Sequence, residues 1–185
     1  MSYYERNLPH WHPEGKAIFL TWRLYGSLPT AVVRQVQSHK MKSALTSGQQ
    51  FADFDQHLDH SQSGPLWLKD PRIADFVVST LRKGQNELHQ YILHAYVVMA
   101  NHIHVLLVPQ IALARITHGM KGVTSRNGNR ILGRTGQPFW QDESFDHWAR
   151  DSAEEERIRK YIESNPVKAG LAAKPEDWPW SSAHP

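Results

Sequence analysis

The 185-residue chain is 40% hydrophobic and 21% charged, which suits one ordinary domain with a real core and excludes global disorder. It has no cysteine, which excludes a disulfide framework, a thiolate metal site and a cysteine nucleophile. The formal charge is only +3, yet residues 88–141 carry five bases and no acid, while residues 142–185 carry six bases and ten acids.

From Met1 to Glu14 the chain is polar and aromatic, unlike a signal peptide, and no apolar run reaches the ~18 residues of a membrane span. His10-Trp11-His12 lies there between Pro9 and Pro13, in a tail without a strand pattern. Ala17–Leu24 predicts a strand, with Ile18, Leu20 and Trp22 alternating with Phe19, Thr21 and Arg23. Gly26-Ser27-Leu28-Pro29 is a turn, and Thr30 caps an amphipathic helix over 31–45. Residues 47–66 lack periodicity and predict a solvated loop, in which Asp53, Asp55, His57, Asp59 and His60 only mimic a ligand cluster.

Asp70-Pro71 opens a second helix, with Ile73, Ala74, Val77, Val78 and Leu81 as its apolar face. Tyr91–Met99 and His102–Pro109 are strand-like runs at hairpin spacing. Ile111–Met120 predicts a helix leading into a Gly-, Asn- and Arg-rich stretch, and Phe139–Phe145 a short strand. Ser152-Ala153-Glu154-Glu155 reads as a capping box for a last helix to about Asn165, which Pro166 ends or kinks. This order predicts one α+β domain over residues 1–185, an antiparallel sheet with helices on one face, with 47–66 as a loop insertion.

The acid-free stretch points to a surface facing an anion, nucleic acid being the obvious one. A buried sheet lacks acids for its own reasons, which accounts for 91–109 but not for 115–134. Within it, His102 and His104 stand at i and i+2 on a predicted strand, so both imidazoles share a face and can converge on one metal ion. In a chain with twelve histidines, an incidental pair is the competing reading. Tyr161 and Asn165, four apart on the last helix, also share a face. A tyrosine is a competent phosphoryl nucleophile and an amide oxygen a hard-cation ligand, though many such tyrosines only pack.

The segments HAYVVMANHIHVLLVP and YIESNPVKAGL resemble the single-tyrosine transposases of the HUH endonuclease superfamily, and among them the REP-associated tyrosine transposases. FLTWRLYGSLP, FWQDESFDHWARD and the closing WPWSS resemble the same group, so the likeness spans about residues 9–182. It implies the HUH endonuclease fold, a ferredoxin-like antiparallel sheet with helices packed mainly on one face. It further implies Tyr161 as catalytic nucleophile and His102, His104 and Asn165 as ligands of Mg²⁺ or Mn²⁺. The implied activity is cleavage and rejoining of hairpin-containing, REP-like single-stranded DNA through a 5′-phosphotyrosine link. A non-cleaving hairpin-binding protein, and a metal-dependent phosphoesterase with a structural Tyr161, stand as alternatives.

Lys121, Arg126 and Arg130 are expected to follow DNA phosphates, with Arg134, Trp140 and Lys168 flanking the site. The expected protein is a cytoplasmic, nucleoid-associated monomer acting in cis, with a dimer exchanging the tyrosine helix as the alternative. One departure stands out: the family's usual Met-Pro-Asn flank is here Met99-Ala100-Asn101.

Overall fold

In the computed structural model, residues 2–5, 9–12, 14–28, 55, 58, 64–142 and 144–185 are described. The N-terminal tail, expected to be unpaired, forms an antiparallel hairpin of β1 (Ser2–Glu5) and β2 (Pro9–His12), with Tyr3 opposite Trp11. The predicted helix over 31–45 lies outside the described residues, as does most of 47–66.

The main sheet joins β3 (Ile18–Arg23), β4 (Tyr91–Val98), β5 (His102–Pro109) and β6 (Phe145–Trp148) in the order β4-β5-β3-β6, every pair antiparallel. The predicted hairpin forms with Val98 opposite Ile103. Hydrophobic β3 and β5 occupy the centre, where both faces are covered, in the strand arrangement of a ferredoxin-like fold.

The sixth strand lies further along the chain than the expected Phe139–Phe145. The rings of Phe139 and Trp140 enter the core, leaving only an isolated bridge between Leu24 and Trp140, and the ladder with β3 starts at Phe145.

Among the described residues, three long α-helices cover the sheet. Asp70 accepts the backbone N–H of Arg72 (3.0 Å) and Pro71 fills the first turn of α1 (Pro71–Asn86), so both ends of the sequence signal work as expected. α2 (Leu113–Ile131) runs well beyond Met120, through a stretch whose glycines predict a break. Gly128 explains part of this: a Cβ there would sit 2.4 Å from Cε2 of Phe139, so glycine permits a close approach and interrupts nothing.

α3 (Ser152–Lys168) is capped by Asp151, one residue before the predicted start, which accepts the Glu154 N–H (2.7 Å). The helix continues through Pro166 and closes on Gly170 in the left-handed region (φ 69°).

The strands' two-residue period splits the core. Ile18, Leu20, Trp22, Ile103, Val105 and Leu107 pack under α1 and α2. Phe19, Ala95, Val97 and Leu106 pack under α3 with Ile158, Tyr161 and Ile162. Thus two of the three helices share one face, and the third stands on the other with the candidate site. The exposed edge of β4 is closed by the C-terminal segment, where Ser182 N–H bonds the Tyr96 carbonyl (2.9 Å) and the Trp178 indole bonds the Val98 carbonyl (3.0 Å). No helix of the described residues is long and apolar enough to cross a membrane.

Candidate active site

Alternation along β5 turns His102 and His104 away from the large apolar core and towards α3, where both are fully buried. Each ring is anchored through Nδ1. His102 Nδ1 donates to Asn101 Oδ1 (2.7 Å), and the Asn101 amide is oriented because its Nδ2 donates to the Leu58 carbonyl (3.0 Å). The proton therefore sits on His102 Nδ1 and Nε2 presents a lone pair. Burial, reinforced by the charge of His104 and opposed by Asp55, lowers the His102 pKa to about 3, so the ring is neutral at neutral pH.

His104 Nδ1 lies 2.7 Å from Oγ1 of Thr21, its cross-strand partner on β3. The two Nε2 atoms face one another at 3.1 Å.

α3 brings Tyr161 and Asn165 over this pair. The Tyr161 ring packs edge-on to Phe19 and to His104, with centroids 6.2 and 6.0 Å away. Lys168, two turns on, holds its Nζ 4.3 Å from the Tyr161 ring centre.

The residue at the centre of the group is Asp55, which the sequence reading assigns to a solvated loop. It is helical and 1% exposed. Its Oδ2 accepts the Tyr161 hydroxyl and the Asn165 amide (3.3 Å), and its Oδ1 lies 3.2 Å from His104 Nε2 and 3.6 Å from His102 Nε2. Burial by itself raises the carboxyl's pKa. The charge and close approach of His104, the charge of His102 and the Tyr161 hydroxyl outweigh that and hold it well below the usual carboxylate range. The sequence does hold a signal for this residue. Phe51 and Leu58 recur at helical spacing, and Asp55 falls on the same face, four residues after one and three before the other.

Two buried oxygens of this cluster, Asp55 Oδ1 and Asn165 Oδ1, have no hydrogen-bond partner. Leaving buried acceptors unpaired costs about 1–3 kcal/mol each. With the His102 and His104 Nε2 atoms beside them, they are atoms a cation would satisfy. Ligand atoms of Asp55, His102 and His104 all lie within 4.8 Å of one another, a buried group that can hold a metal ion. Imidazole nitrogens with carboxylate and amide oxygens suit a divalent ion such as Mg²⁺ or Mn²⁺, so the residues fit the group that the sequence resemblance implies.

Fold and site together define a sheet-based, metal-capable centre with a tyrosine poised beside paired histidines. Residues 65–165 match the family model described as transposase, IS200-like, and the chain belongs to that family. Among solved structures, it is similar to a REP-associated tyrosine transposase bound to a REP hairpin. The two share 17% sequence identity and a TM-score of 0.59, over 100% of this chain and 84% of that one. That likeness is one of fold. No curated protein sequence matches the chain.

Of the six residues expected to meet DNA, only Lys168 stands beside Tyr161. Arg126 and Arg130 are exposed on α2, across the sheet from the histidines. Lys121 donates to the carbonyls of Gln141 and Asp142 (2.9 and 3.0 Å). Arg134 and Trp140 do not flank the site as expected. Arg134 stacks 3.9 Å over Trp67, and Trp140 is buried in the α1/α2 core with its indole donating to Thr124 (2.8 Å), which leaves no ring face for a base.

A cation that sequence reasoning passed over does lie on the site's face. Arg23 is cross-strand from His102 and half-buried, with a hydrogen bond to Ser27 (3.3 Å). Burial lowers its pKa.

Proposed function

We propose that the chain is a metal-dependent single-stranded DNA endonuclease and strand transferase of the REP-associated kind. It would cleave and rejoin hairpin-containing, REP-like DNA through a 5′-phosphotyrosine link at Tyr161. The observation that carries this reading is the convergence of Tyr161, Asn165 and both histidine Nε2 atoms on one buried carboxylate. Packing alone does not require a phenol, an amide and two imidazoles to share one buried carboxylate. The fold likeness to a protein bound to a REP hairpin favours hairpin DNA as the substrate class.

In this mechanism His102, His104 and Asn165 would hold the divalent ion. When bound, the ion supplies positive charge to the oxygens of the scissile phosphate. Tyr161 Oη attacks the phosphorus in line with the 3′ oxygen. A P–Oη bond forms, the P–O3′ bond breaks, and the 3′ oxygen departs as a hydroxyl, the proton that Tyr161 loses balancing the one it gains. One phosphodiester replaces another, so rejoining needs no nucleotide cofactor.

A free tyrosine has a pKa of ~10, so the phenol needs help to lose its proton. Asp55 Oδ2 is the acceptor that this proton already faces, and the Lys168 ammonium near the ring favours developing phenolate charge. Every group comes from one chain, which supports action in cis.

The test is incubation of the protein with an end-labelled hairpin oligonucleotide and Mn²⁺, followed by denaturing electrophoresis. The expected result is a covalent protein–DNA adduct that disappears in Tyr161→Phe. Tight binding with no adduct in any divalent metal would overturn cleavage. Multiple turnover of a small phosphoester that survives Tyr161→Phe would make the tyrosine structural.

A further inference from the structure

Asp55 offers its two oxygens to different partners, and this asymmetry carries more than the mechanism uses. Oδ2 is saturated by the Tyr161 hydroxyl and the Asn165 amide. Oδ1 points at the two imidazoles, is fully buried, and accepts no hydrogen bond. A carboxylate 1% exposed, whose only cationic side-chain partners among the described residues are histidines, sits where a divalent ion would add further neutralising charge.

His102 faces the same point with its other nitrogen. Its Nδ1 proton is committed to Asn101, and Nε2 turns a lone pair towards the same point. The two Nε2 atoms lie 3.1 Å apart, with Asp55 Oδ1 within 3.6 Å of both, so three potential donor atoms converge on one spot.

We propose that Asp55 is both a ligand of the divalent ion and the positioning residue for the nucleophile. Oδ1 completes the donor set with His102 and His104, while Oδ2 holds the Tyr161 hydroxyl and the Asn165 amide. One carboxylate thereby ties the ion to the tyrosine, so loading the site and placing the nucleophile become a single event. The ligand comes from the stretch that reads in sequence as an insertion, not from α3 or the sheet. It adds a negative charge to an otherwise neutral set of two imidazoles and an amide, which raises affinity for hard divalent ions. Asn165, whose Nδ2 is spent on Asp55, still presents Oδ1 as a further oxygen. This inference rests on the proposed metal-dependent reading, but it concerns how the ion is held.

The experiment is Mn²⁺ binding to the metal-free full chain, measured by electron paramagnetic resonance of free Mn²⁺ without DNA. The variants are Asp55→Asn, Asp55→Glu and Asp55→Ala, and thermal melts in chelator confirm folding. Asp55→Asn keeps the shape and removes the charge that a carboxylate ligand supplies to the ion, whereas a purely structural acceptor tolerates the isosteric amide. We expect Asp55→Asn and Asp55→Ala to weaken Mn²⁺ binding by at least about tenfold, the lower end of what loss of a supporting group outside the ligand set costs. Asp55→Glu should recover part of it. The rise in melting temperature that Mn²⁺ gives the wild type should shrink in Asp55→Asn in the same proportion.

Mn²⁺ affinity in Asp55→Asn within twofold of wild type overturns the ligand role, even if the wild type forms DNA adducts. Conversely, Asp55-dependent Mn²⁺ binding in a protein that forms no adduct upholds it while the cleavage reading falls.

Discussion

The two faces of one sheet are built to opposite specifications. Under α1 and α2, β3 and β5 present Ile18, Leu20, Trp22, Ile103, Val105 and Leu107, an apolar layer that offers no cluster of metal-ligating side chains among the described residues. Under α3, the same strands present Thr21, His102 and His104, and that layer holds buried oxygens with no partner. Consecutive residues of β5 therefore serve different purposes. The first face supplies the stability that allows the second to bury polar groups at a cost. Changes on the first face should move stability and spare metal binding, whereas changes on the second should do the reverse.

The largest separation is expected from Ile103→Ala, whose side chain is buried in the α1/α2 core between the two histidines in sequence. It should cost about 2–5 kcal/mol in denaturant unfolding, with Mn²⁺ affinity of the folded protein within twofold of wild type. A large loss of Mn²⁺ affinity would show that the faces are mechanically coupled through the strand.

Gly128→Ala tests the first face again with the opposite sign of local preference. Helix propensity alone favours alanine by about 1 kcal/mol. The added Cβ would meet the ring of Phe139, itself 1% exposed and boxed in against Trp67 and Trp140. Overpacking of this kind costs about 1–3 kcal/mol, so net destabilisation is expected. A gain in melting temperature would mean that Phe139 is free to move.

The first face was legible in the sequence because it follows simple periods. Alternation in Ala17–Leu24, hairpin spacing around Ala100-Asn101 and the cap at Asp70-Pro71 all act locally, and all appear in the structure. The errors arose where a long-range contact decides the outcome. α2 continues past Met120 partly because Gly128 accommodates a ring from the segment after the helix, and Trp140 leaves the surface for the same core. The second face was half legible. The spacings of His102/His104 and Tyr161/Asn165 place each pair on one side of a strand or helix, but spacing within an element says nothing about which distant side chain enters between them. Asp55 is 106 residues from Tyr161 along the chain, and only its helical spacing to Leu58 hinted that it was not in solvent.

Thr21→Val examines the second face one step away from the ion. The change preserves shape but removes the oxygen 2.7 Å from His104 Nδ1, which steers that ring. Losing such a support should weaken Mn²⁺ binding about 10–100-fold, with a smaller effect on unfolding, measured in parallel by titration and by denaturation in chelator. If both quantities fall together, Thr21 belongs to the core and the contrast between faces weakens.

The smallest effect is the pH response of the metal-free protein. His102 is buried neutral, with its pKa lowered from 6.5 to about 3 by burial first and then by the charge of His104. Below pH 6.5 the unfolded chain takes up a proton that the folded chain refuses, so stability falls as pH drops from about 6.5 towards 3. The depressed carboxyl of Asp55 acts in the same direction but later. Its contribution is present above its ordinary value of 3.8 and is lost as pH falls below it. One group contributes at most about 1.4 kcal/mol per pH unit, or roughly 3–5 °C of melting temperature between pH 6.5 and 5.5 for a chain of this size. The informative quantity is the difference in slope between wild type and His102→Gln, which removes the buried base and leaves every other titrating group in place. Wild type should lose stability more steeply over this window, and parallel slopes would mean that His102 takes up its proton inside the fold.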